Sequence, residues 1–162
     1  MITETIYIPV KVIEDFMMAV FQGLGVPHDE ARICTEVLIA SDLRGIESHG
    51  VGRLKYYYDR LKAGVQRTQT EMEIVKETET TALMNGHHGM GHVIAYRSMR
   101  LAMDKARRYG LGAVAVRNST HFGIATAPRP YRRALSMASR MERWAITCPM
   151  PWWASITAVV SL

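Results

Sequence analysis

The hydrophobic period changes once along this chain, near Glu71, and that change restricts the fold to a helical cluster followed by strands and a further helix. Pro9 suits a first helical turn, and Val10, Ile13, Met17, Val20 and Phe21 then recur at helical spacing until Gly23 and Gly25. After Pro27, the residues Ala31, Cys34, Leu38 and Ser41 share one face of a second helix that ends before Gly45. Ser48 is placed to cap a third, with Val51, Leu54, Tyr58 and Leu61 as its apolar stripe and Gly64 beyond its end. Polar and apolar residues alternate from Glu71 to Lys76, Thr80 to Met84 contains a short apolar run, and Asn85-Gly86 signals a turn, which together predict a pair of strands. Val93, Tyr96, Met99, Met103 and Ala106 restore the helical period, Gly110 closes it, and GAVAV at 112–116 predicts a buried strand. The expected class is therefore α/β: a helical segment over residues 1–68, an αβ unit over 69–125, and a tail of different character over 126–162.

At 162 residues the chain accommodates one domain, or one domain with a piece of a second. Cys34 and Cys148 are too few for a disulfide scaffold or a four-thiolate zinc site, so a reducing compartment is expected. The first ten residues contain no Lys or Arg and no apolar run leading to a cleavage site, which predicts a cytoplasmic location. A net charge of +5 raises nucleic acid as a partner. Its distribution argues otherwise, because residues 1–125 carry 15 basic against 14 acidic side chains and the excess sits in the tail, with five Arg and one Glu. Residues 145–162 are uncharged, yet Pro149, Pro151 and several Ser and Thr make them a poor membrane span. Neither nucleic acid nor membrane is an expected partner.

Three clusters could carry chemistry. In DLRGIESHGVGRL, residues 42–54, Ser48 and His49 stand near a helix start with Arg53 four residues after His49, an arrangement that welcomes an anion. The alternative is a capping Ser48, a solvated His49 and an Arg53 paired with Glu47. In RNSTHFG, residues 117–123, His121 follows the strand at 112–116, and the crevice beyond strand carboxyl ends is where α/β sheets collect ligands; turn formation by Asn118 and Ser119 is the competing explanation. His87, His88 and His92 are interleaved with Gly86, Gly89 and Gly91 and read as a turn entering a helix, with no metal expected. Tyr56, Tyr57 and Tyr58 are consecutive, so they cannot all be core. Gly23-Leu24-Gly25 follows a helix instead of a strand, so a Rossmann fingerprint is absent.

The order DLRGIESHGVGRL, a Tyr-rich helix ending LKAG, NGHHGMGH and AMDKARRYGLGAVAVRNSTHFGIA, over about residues 5–125, resembles the malate/L-lactate dehydrogenase family, which includes ureidoglycolate and sulfolactate dehydrogenases and diketogulonate reductase. The resemblance implies part of a non-Rossmann αβ cofactor domain and an oxidoreductase that interconverts a 2-oxo acid and a 2-hydroxy acid with NAD or NADP. It also implies a homodimer for the full-length family. Ser48, His49 and Arg53 match its S-H-G-x-x-R substrate segment, and His121, Phe122 and Gly123 match its H-F-G segment, where contact with the cofactor is implied. One of His49 and His121 would exchange the proton, a task suited to an imidazole of ordinary pKa near 6.5; Ser48 and Arg53 would bind substrate.

The likeness stops near Ala125, where glycine and lysine vanish and Arg, Pro and Trp rise together. A shifted reading frame, or an equivalent join, is the expected origin of residues 126–162, with Trp144, Trp152 and Trp153 lacking consistent core partners. The chain alone is expected to have little or no dehydrogenase activity. A non-catalytic interaction module of the same family is the alternative.

Overall fold

The computed structural model describes residues 7–123 and 156–161. Three helices lead: α1 (Val10–Gly23), α2 (His28–Asp42) and α3 (Leu54–Lys62), with two short 3-10 helices, Glu47–His49 and Val51–Arg53, between the last two. Strands β1 (Glu73–Glu77) and β2 (Thr81–Asn85), helix α4 (Gly91–Tyr109) and strand β3 (Leu111–Arg117) follow, and β4 (Ile156–Ser161) completes a four-stranded sheet in the order β1-β2-β3-β4. β2 and β3 are parallel, and the outer pairs are antiparallel. Parallel neighbours require a crossover, and α4 supplies it. The expected α/β class and its helix-to-strand order are found.

The second helical face was fully legible: Ala31, Cys34, Leu38 and Ser41 are all 0% exposed. Burial pushes the Cys34 thiol pKa up, with Glu30 adding to the shift. In α4 the period of about 3.6 turns one stripe to the helices and another to the sheet. Val93 packs with Met17, Phe21 and Tyr57, whereas Ile94 and Ala102 pack with Ala82, Met84, Val114 and Val116. One helix therefore joins both cores, and it ends at Gly110 in the left-handed conformation (φ 78°).

Two expectations are corrected. Ser48 makes no capping bond, because its residue lies in the first 3-10 helix and α3 starts only at Leu54. That start sets the phase of α3, so Tyr57 enters the core at 1% exposure while Tyr58, the expected stripe residue, stays 37% exposed. The expected pair of strands is found as β1 and β2; all five residues of β1 are exposed, and its register shifts between Ile74 and Lys76. Within the tail, β4 pairs antiparallel with β3 from Ile156 to Ser161. Trp144, Trp152 and Trp153 lie outside the described residues.

A buried carboxylate ties the two cores together. Glu30, on α2, accepts the Thr70 N–H at 3.0 Å and a guanidinium N–H of Arg97, on α4, at 3.0 Å. Arg97 also donates to the Thr70 carbonyl at 2.9 Å, and the Thr70 hydroxyl accepts the Met90 N–H at 3.0 Å. Leaving such a charge without its partner costs about 3 kcal/mol or more. Arg97→Ala is therefore expected to lower the unfolding free energy by about 3 kcal/mol in urea titration, against less than about 0.5 kcal/mol for Arg32→Ala at the exposed Arg32–Glu36 pair. Equal losses would contradict this reading of Glu30.

His92, second residue of α4, is 1% exposed, and neither ring nitrogen has a hydrogen-bond partner. Its ring meets that of Tyr57 edge-on at 4.7 Å between centroids. Burial, reinforced by the neighbouring His121, pushes its pKa down to about 3. The unfolded chain takes up a proton below about pH 6.5 that the folded chain refuses until about pH 3, so the stability tied to neutral His92 is present above the unfolded pKa and is lost as pH falls. The expected slope is about 1.4 kcal/mol per pH unit within that window. His92→Phe keeps a flat ring without the titration, and its stability is expected to fall less steeply with acid than that of the natural chain; identical slopes would remove His92 as the cause.

Candidate active site

The segment after α2 is shaped by Asp42, whose carboxylate accepts the Val51 N–H at 2.8 Å. Gly50 lies against that carboxylate so closely that a Cβ there would overlap it, which is the local reason a glycine follows His49. The chain makes its first 3-10 helix just before this contact and its second just after it. Arg53 folds back and donates from Nε to the Ser48 carbonyl at 3.0 Å. Ser48 Oγ lies 2.9 Å from His49 Nδ1. Arg53 is not paired with Glu47; its guanidinium also lies 5.3 Å from the centroid of the Tyr56 ring.

The second half of the site comes from the carboxyl end of β3. Because β2 and β3 are parallel, the loops that leave them emerge at the same edge of the sheet and bind each other. Gly86 N–H donates to the Arg117 carbonyl and His88 N–H to the Asn118 carbonyl, each at 2.9 Å, while the Thr120 hydroxyl donates to the Gly89 carbonyl at 2.7 Å. A Cβ on Gly91 would overlap the His121 carbonyl, so glycine at the start of α4 lets the 118–123 loop lie directly on the helix. This sets His121 over α3.

Residues far apart in sequence meet there. The imidazoles of His49 and His121 stack with centroids 5.5 Å apart and planes 27° from parallel. Tyr57 Oη lies 2.8 Å from His121 Nδ1, and the Gly123 N–H donates to the same nitrogen at 3.3 Å. Both imidazoles are thus held at Nδ1, His49 by a serine hydroxyl and His121 by a tyrosine hydroxyl and a backbone amide. His121 has its pKa lowered, first by burial, then by the charges of Arg53 and His49. Burial raises the pKa of Tyr57 and keeps its hydroxyl protonated. Phe122 stands beside His121 at 6.5 Å between centroids.

The structure therefore brings Ser48, His49, Arg53, His121, Phe122 and Gly123 into one neighbourhood. His87 is elsewhere, 3.2 Å from Glu73 at the sheet edge, and His92 is core. Among the described residues no three His, Cys, Asp or Glu side chains gather in a metal-binding group, and no helix is long and apolar enough to cross a membrane. Tyr57 and Asp42 were missed by sequence reasoning. Asp42 stood inside the motif but offered no sign that its carboxylate would reach Val51, and Tyr57 was one of three consecutive tyrosines.

The arrangement combines a guanidinium, two imidazoles held at Nδ1 and a serine hydroxyl, which suits a small carboxylic acid that gains or loses a proton. Known proteins are similar to this chain over the segment that holds these residues. Malate dehydrogenase of Pyrococcus abyssi is 46% identical over 118 residues, which are 73% of this chain and 33% of the relative. L-sulfolactate dehydrogenase of Methanothermobacter thermautotrophicus is 45% identical over 116 residues, 72% of this chain and 33% of the relative. The solved structure of malate dehydrogenase from Pyrococcus horikoshii superposes with a TM-score of 0.74 at 40% identity, covering 83% of this chain and 37% of that one. The chain spans about a third of the length of the relatives it matches. The model of the malate/L-lactate dehydrogenase family matches residues 8–130, about three quarters of the sequence, and this chain belongs to that family.

Proposed function

We propose that this chain carries the substrate-binding and proton-exchanging part of an NAD- or NADP-dependent dehydrogenase that interconverts a 2-oxo acid and a 2-hydroxy acid. The observation that carries the reading is the convergence of His49, His121 and Arg53, which come from the segment before α3 and the loop after β3. Arg53 would hold the substrate carboxylate through a charge-assisted bond of about 1.5–3 kcal/mol, with its Nε already anchored on the Ser48 carbonyl. The relatives named malate and sulfolactate dehydrogenases support small hydroxy acids as the substrate class.

The half-buried surface of His121, Phe122 and Gly123 suits the flat, weakly polar face of a nicotinamide, and these described residues would hold that end of the cofactor. The chemistry a nicotinamide supplies there is hydride exchange with the carbon that bears the substrate oxygen. The oxygen must then gain a proton in one direction and lose it in the other. His49 is the group for this. The Ser48 hydroxyl at its Nδ1 can donate to that nitrogen or accept from it, so either protonation state of His49 keeps its partner. His121, whose pKa is lowered by burial and by Arg53 and His49, stays neutral beside it.

The test is a chimera in which residues 8–123 replace the matching segment of the Pyrococcus horikoshii malate dehydrogenase. It is expected to oxidise a reduced nicotinamide with a 2-oxo acid, while the chain alone shows little or no turnover because hydride donor and acceptor are not positioned together. In the chimera, His49→Gln is expected to lower kcat by about 10²–10⁴ and Arg53→Ala mainly to raise KM. Full activity of the His49 variant would refute the assignment.

A further inference from the structure

We propose that Tyr57 is a positioning residue that, with the backbone of Gly123, locks His121 as the neutral imidazole carrying its proton on Nε2, so that His121 donates a hydrogen bond to the substrate oxygen and takes no part in proton transfer. The inference rests on the reaction proposed above for its functional meaning, and on the geometry of one nitrogen for its substance.

Two groups address His121 Nδ1. The Gly123 N–H lies at 3.3 Å and the Tyr57 hydroxyl at 2.8 Å. A backbone N–H can only donate. Nδ1 must therefore present a lone pair, and a proton placed there, in the other tautomer or in the imidazolium, would face the Gly123 N–H head-on. The hydroxyl of Tyr57 adds a second donor. Its ring is 1% exposed and held edge-on against His92 at 4.7 Å and Tyr56 at 5.3 Å between centroids, so the oxygen has one place to be.

The surroundings act in the same direction. Among the described residues, the titratable groups facing His121 are His49 and Arg53 before α3, Tyr56 and Tyr57 on α3, and His92 on α4. None is a carboxylate, the usual partner that keeps a catalytic histidine charged. A cationic His121 would stack on His49 at 5.5 Å and stand near Arg53. His121 and His49 are thus unlike in function although both rings are held at Nδ1: the hydroxyl at His49 can reverse its donor and acceptor roles, and the amide at His121 cannot. Sequence had left the two as equals.

The experiment is long-range ¹H–¹⁵N correlation of the histidine rings in the whole chain, uniformly labelled on nitrogen, near neutral pH, with the His121 signals identified by their loss in His121→Gln. The expected spectrum shows His121 with an unprotonated Nδ1 and a protonated Nε2. Tyr57→Phe keeps the ring and removes the donor, and is expected to lower the ratio of Nε2–H to Nδ1–H tautomers by about fivefold, with the backbone amide spectrum otherwise retained. A protonated Nδ1 in the unsubstituted chain would overturn the proposal, as would nitrogen signals unmoved by Tyr57→Phe in a folded variant. Should that variant not fold, the tautomer of the unsubstituted chain decides by its own signals. The readout needs neither substrate nor cofactor, so an inactive chimera would refute the dehydrogenase reading and leave this one standing, and the reverse holds equally.

Discussion

The carboxylate of Glu30 is the point on which the remaining geometry hangs. It is buried, and a buried charge is tolerated only when its lone pairs are occupied. Here they take the Thr70 amide and the Arg97 guanidinium, and Thr70 in turn holds the Met90 amide at the entrance to α4. α2, the segment after α3 and the first turn of α4 are thereby fixed to one another. That first turn carries Gly91 and His92, against which the His121 loop and the Tyr57 ring are seated. A disturbance at Glu30, which makes no contact with the candidate active site, would reach both imidazoles through α4.

The sheet contributes by topology. Parallel β2 and β3 send their following loops to one edge, and the backbone bonds from Gly86 to Arg117 and from His88 to Asn118 clamp those loops together. His121 can then reach Tyr57 on α3, 64 positions earlier in the chain. The helical part supplies the Arg53 guanidinium and one imidazole, and the αβ part supplies the other. Neither half has the chemistry alone.

Electrostatics follow from this packing. Arg53 provides a positive charge close to His121, and with burial that charge helps hold His121 neutral. Arg60 lies 5.4 Å from the Tyr56 centroid, so two guanidiniums, those of Arg53 and Arg60, attend one aromatic ring.

Local periodicity carries far in this chain because helix faces are set by neighbours three and four residues away. The buried face of α2, the glycine that ends α4 and the strand at 112–116 were all readable for that reason. Ser48, His49, Arg53 and His121 were singled out by a resemblance that extends over most of the chain, and the fold brings them into one neighbourhood. Other features depend on contacts that a linear pattern does not encode. Asp42 and Gly50 end one 3-10 helix and begin another, which shifts α3 by a fraction of a turn and exchanges Tyr58 for Tyr57 in the core. His92 reads as a polar turn residue, yet α4 carries it beneath Tyr57, where burial outweighs its hydration. Which nitrogen of His121 keeps a lone pair is a matter of where the Tyr57 hydroxyl and the Gly123 amide come to rest, and only long-range packing puts them there.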